Sequence, residues 1–69
     1  MSFDKTIVCQ IVDDSEKELG KYKVSYGSST FYAYTEDTKL LKNSSVYVLV
    51  PNGDWNEQKQ IVSKKTSND

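Results

Sequence analysis

Apolar and polar residues alternate through most of this chain, in five separate runs. Thr6-Ile7-Val8-Cys9-Gln10-Ile11-Val12 puts Ile7, Cys9 and Ile11 on one side of a strand predicted over residues 5 to 13. Lys21 to Tyr26 and Ser29 to Thr35 alternate in the same way. Ser45 to Pro51 is the strongest run, with Val46, Val48 and Val50 on one face and Tyr47 and Leu49 on the other. Gln58 to Lys64, carrying Ile61 and Val62, completes the set. Period-two alternation of β-branched and aromatic residues is the pattern of half-buried strands, because successive side chains leave a strand on opposite faces.

The second and third runs are separated by Gly27-Ser28 alone. A Gly-Ser pair suits a type II′ hairpin, since glycine accepts a positive φ at the first turn position without a Cβ clash. That turn sets the register. Tyr26 faces Ser29, Val24 faces Phe31 and Tyr22 faces Ala33 on an apolar side. Lys23 with Tyr32 and Lys21 with Tyr34 occupy the other side.

The remaining connections are polar. Ser15 to Leu19 links the first strand to Gly20, and Pro51-Asn52-Gly53-Asp54 is a turn signal ahead of Trp55. Residues 36 to 44 form the longest connection, where Leu40-Leu41 could plug a barrel end from a single helical turn. Residues 65 to 69 are a polar tail expected to fray. The whole chain, 1 to 69, reads as one all-β domain with its core between residues 5 and 64. Five strands in meander order, with one longer connection between the third and fourth, predict a small five-stranded barrel of the OB type. An SH3-like barrel is the alternative partition.

A 69-residue chain buries only about 60% of its unfolded surface, and small folds compensate with disulfides, metals or partners. Cys9 is the sole cysteine and histidine is absent, so an internal disulfide and a tetrahedral zinc site have no residues to form them. Oligomeric contacts or a dense aromatic core are the remaining routes, and aromatics make up 12% of the chain. Cys9 itself, between Ile7 and Ile11, reads as a small buried hydrophobe.

Catalysis finds no support in the residues. Histidine-based acid–base chemistry has no histidine, the carboxylates gather at turns, and Ser28-Ser29 and Ser44-Ser45 have no base beside them in sequence. No catalytic, cofactor-binding or metal-binding residue is assigned. Asp13-Asp14 falls short of a calcium site's oxygen count. The chain has no run of membrane-spanning length, and Met1 to Lys5 has no apolar signal segment. Its formal net charge of −1 comes with nine lysines and no arginine, which argues against a dedicated nucleic-acid reader.

The candidate interaction surface is the face of Lys21, Lys23, Tyr32 and Tyr34, with Tyr47 and Trp55. Three readings of the Lys/Tyr face stay open: cross-strand packing of lysine stems on rings, a protein interface, or a stacking platform for single-stranded nucleic acid. Trp55 is either a cap folded onto a barrel end or an exposed binding aromatic.

The second half has a specific cadence. Tyr22-Lys23-Val24-Ser25, Phe31-Tyr32-Ala33-Tyr34-Thr35-Glu36, Val46-Tyr47-Val48-Leu49-Val50-Pro51-Asn52-Gly53-Asp54-Trp55 and Lys59-Gln60-Ile61-Val62 follow in order. This resembles small OB-type barrel domains embedded in structural proteins of tailed bacteriophages and prophages. The resemblance spans about residues 20 to 64. It implies a non-catalytic building block of a virion or tail-like assembly, working through other protein subunits or copies of itself. It also implies a place in the virion; without it, the unpaired cysteine points to the cytoplasm. The pattern carries no catalytic residues to transfer.

Overall fold

Five strands close into a barrel in the computed structural model, which describes residues 4–65. They are β1 (Lys5–Asp13), β2 (Lys21–Tyr26), β3 (Ser29–Tyr34), β4 (Ser45–Val50) and β5 (Lys59–Lys64). Two short 3-10 turns, Lys17–Leu19 and Pro51–Gly53, follow β1 and β4. The last four residues of the predicted polar tail, 66 to 69, lie outside the described residues.

The order around the barrel is β1-β2-β3-β5-β4, so the expected meander is corrected in one place. After β3 the chain crosses the barrel: β4 pairs antiparallel with β1 from Lys5↔Val50 to Gln10↔Ser45. β5 then lies between β4 and β3, and its pairing with β3 is parallel. This is a Greek-key closure of the OB type, and the parallel pair separates it from the SH3-like alternative. The predicted hairpin register holds at every position from Lys21↔Tyr34 to Tyr26↔Ser29. Gly27 has φ 63° and Ser28 does not share a positive φ, as a type II′ turn requires.

The core is the inward set that alternation selects: Ile7, Cys9 and Ile11 from β1, Tyr22 and Val24 from β2, Ala33 from β3, Val46, Val48 and Val50 from β4, and Ile61 from β5. No polar or charged residue is buried among the described residues, so nothing in this interior needs a compensating charge. Burial pushes the Cys9 thiol up to about 11. At neutral pH it is therefore an unreactive thiol. Alkylation of Cys9 by iodoacetamide should be negligible in the folded protein and rise with urea along the unfolding curve. Rapid labelling without denaturant would mean that the barrel opens around β1.

The connection from residue 35 to 44 contains no helical turn, contrary to expectation. It is held open by side chains instead. The Thr35 hydroxyl accepts the Asp37 N–H and the Asp37 carboxylate accepts the Lys39 N–H. Tyr22, whose ring is fully buried, reaches the loop from below: its hydroxyl donates to the Asp37 carbonyl at 2.8 Å and accepts the Leu40 N–H at 3.2 Å. Competing side-chain partners of this kind draw the backbone away from helix. Leu40 thereby enters the core while Leu41 stays 65% exposed, so only one leucine of the pair plugs the barrel. Tyr22→Phe should keep the packing but strand the buried Leu40 N–H, lowering stability by about 1–3 kcal/mol. Faster amide exchange at Leu40 would report it; an unchanged rate would show that the hydroxyl does not hold the loop.

Candidate interaction surface

The Lys/Tyr face forms as registered, on the outside of β2 and β3. It is not an open platform. Glu16, from the connection after β1, folds over it: the Tyr32 hydroxyl donates to Glu16 Oε2 at 2.7 Å, and Lys21 Nζ lies 3.3 Å from Glu16 Oε1. Lys21 Nζ also stands 4.8 Å from the Tyr32 ring centroid. A carboxylate thus occupies the place where a phosphate or acidic partner would meet Lys21. Lys23 and Tyr34 are half-buried on the same side. Of the three readings, cross-strand packing is the one this geometry favours.

The bond to Tyr32, followed by that to Lys21, holds the Glu16 carboxyl below its ordinary value. The same Glu16 bond raises the Tyr32 hydroxyl. Both shifts describe one contact between ionised Glu16 and protonated Tyr32. A depressed carboxyl contributes above its unfolded value and loses that contribution as pH falls through the folded one. The Tyr32 ring signals should therefore shift only at acid pH, below the ordinary glutamate range, and hold steady at neutral pH. A midpoint near 6 would exclude Glu16 as the partner.

Trp55 lies elsewhere, at the barrel end where the hairpin projects. Its ring stacks on Tyr26 with centroids 5.7 Å apart and an interplanar angle of 27°. It meets Phe31 edge-on at 5.8 Å and 73°. Lys59 Nζ sits 5.1 Å from the Phe31 centroid and 5.6 Å from that of Trp55, and donates to the Trp55 and Glu57 carbonyls at 2.6 and 3.3 Å. Further bonds order the segment around it: Asp54 N–H to the Pro51 carbonyl, Asn56 N–H to the Asp54 carboxylate, and Asn52 N–H to the Asp4 carboxylate. Trp55 thus rests on Tyr26 and Phe31 and not on the core itself, and it remains 42% exposed, with Tyr26 at 39%.

The six predicted residues therefore do not form one surface. Lys21, Lys23, Tyr32 and Tyr34 share the outside of the hairpin, and Trp55 joins Tyr26 and Phe31 at its tip. Tyr47 sits on the outer side of β4, between Val8 of β1 and Ser63 of β5. Tyr26 and Phe31 are the residues that alternation assigned to the core and that the structure brings to the aromatic shelf. Their signal was available only in part: both lie beside the hairpin tip, where a barrel interior runs out. Asp13 accepts the Ser15 N–H in a local turn, and no cluster of three metal-ligating side chains occurs among the described residues. Among those residues no helix is long and apolar enough to cross a membrane.

Fold and shelf together define a small closed β-barrel with an ordered, partly exposed aromatic end. Comparison with protein-family models, with curated proteins and with solved structures finds no match.

Proposed function

We propose that this chain is a non-catalytic docking module that meets another protein through the Tyr26–Phe31–Trp55 shelf. The observation that carries this reading is the exposure of a tryptophan already fixed in place. Trp55 is held by two aromatic contacts, and its segment is held by local hydrogen bonds, so little side-chain freedom remains to be lost on binding. Preorganised tryptophan and tyrosine with an exposed face are the residues that dominate protein–protein binding energy. Resemblance to barrel domains of tailed-phage structural proteins points to the same use, as a component of a virion or tail-like assembly.

The charges beside the shelf argue for protein over nucleic acid. Asp54 and Glu57 flank Trp55, and the nearby Lys59 amine is engaged by two carbonyls. A stacking groove for single strands wants free cations at that position. The test is an amide-shift titration with mixed-sequence single-stranded DNA and RNA at low salt, with translational diffusion recorded on the free protein. The expected result is no shift at Tyr26, Phe31 or Trp55. Shifts at these residues that fade as salt rises would overturn the reading in favour of a single-strand binder.

A further inference from the structure

The barrel is closed unevenly, and the seam is at β5. β3 accompanies β5 only over Ala33↔Lys59 and Tyr34↔Gln60. Beyond Tyr34 the pairing with β5 stops, while the Thr35 N–H, which faces β2, donates to the Gly20 carbonyl and extends the β2–β3 register by one pair. From Ile61 to Lys64, β5 is consequently paired on the β4 side alone among the described residues. The Lys65 N–H donates to the Ser45 carbonyl, toward β4. Strand alternation then points the N–H and C=O of Lys64 to the open side. A cleft of about 370 Å³ lies where the two strands part, lined by Gly20, Tyr34, Thr35, Glu36, Gln60 and Ile61.

We infer that this edge takes an added strand: a short extended segment of a partner protein, with an apolar side chain in the cleft and acidic residues about three positions away. Backbone pairing supplies the affinity in such additions, and pockets for alternate side chains supply the choice of sequence. Charge selects the occupant. The segment Lys59 to Lys65 holds three lysines and no acid, and Lys64 and Lys65 are exposed. A second copy adding its own β5 brings three more lysines to that edge, an arrangement that keeps edges from pairing with themselves. An acidic segment is attracted instead. Glu36 at the cleft sets the direction, because it keeps the acidic residues at the Lys64 end. This surface is separate from the aromatic shelf.

The probe is a capped eight-residue peptide of alternating threonine and valine ending in two glutamates, titrated into the labelled protein at low salt. A counterpart ending in two lysines is the control. The glutamate peptide should shift the amides of Ile61 to Lys64 and of Thr35 and Glu36, and bind roughly threefold to tenfold more tightly than the lysine peptide. The double substitution K64E/K65E should reverse that preference. Trp55→Ala should leave both affinities unchanged, which separates failure here from failure of the docking shelf. Shifts confined to Trp55, Tyr26 and Phe31, no shift with either peptide, or concentration-dependent shifts of β5 in the free protein would each overturn the inference.

Discussion

Ile11→Ala should remove a large share of the folding free energy of this barrel. Ile11 is fully buried, and its N–H and carbonyl are also bonded to Ser44 and Asn43 across the end of the long connection. Truncating it leaves a cavity where β1, β2 and β4 meet, and changes of this kind cost about 2–5 kcal/mol. A domain of this length has about 3–10 kcal/mol in total, from the usual stability per residue. The urea midpoint should accordingly fall steeply while the slope of the transition stays the same. Leu41→Ala is the matched control, because that side chain is 65% exposed and should change stability by no more than about 0.5 kcal/mol. A loss below about 1 kcal/mol for Ile11→Ala would mean that the barrel refills the space.

Trp55→Ala should have the opposite profile. Two aromatic contacts are lost, together about 1–3 kcal/mol beyond area, so stability should fall measurably while the core strands, which Trp55 does not join, stay assembled. Docking should not survive. A buried tryptophan at the centre of an interface commonly contributes 2 kcal/mol or more, which is about a thirtyfold change in affinity. A photo-crosslinking residue at the exposed Asn56 position reads this directly in the cells that make the protein. Its protein adducts should largely disappear in the Trp55→Ala background under conditions where the urea curve shows that variant still folded. Adducts of unchanged yield would remove Trp55 from the interface. Trp55→Phe should restore part of the yield, since a ring is retained against Tyr26.

Much of the barrel is legible in single runs of residues. The alternation of Ile7-Val8-Cys9-Gln10-Ile11 and of Val46 to Val50 separates core from surface by period alone, and the Gly27-Ser28 turn settles a whole hairpin register. These are local properties, decided by a strand's pleat or by the backbone of two turn residues. The candidate interaction surface was less legible. Lys21 and Tyr32 were correctly placed on one face, but nothing in the order of residues brings Glu16 over them. Neither Tyr26 nor Phe31 carries a mark that distinguishes them from core residues until Trp55 arrives from about 25 positions away.

The amino-acid sequence by itself determined where the five strands run, which way most of their side chains face and where the tight turn falls. Tertiary structure alone decided that β4 crosses to β1, that β5 runs parallel to β3 for two pairs, and that Leu40 and not Leu41 enters the core. The physical reason is the range of the contacts. Pleat and turn conformations are fixed within a few neighbouring residues, whereas the crossover rests on the long-range pairing of β4 with β1, and the loop before it is bonded by the Tyr22 hydroxyl at residues 37 and 40. Such a bond exists only once distant strands have already met, so no local pattern announces it.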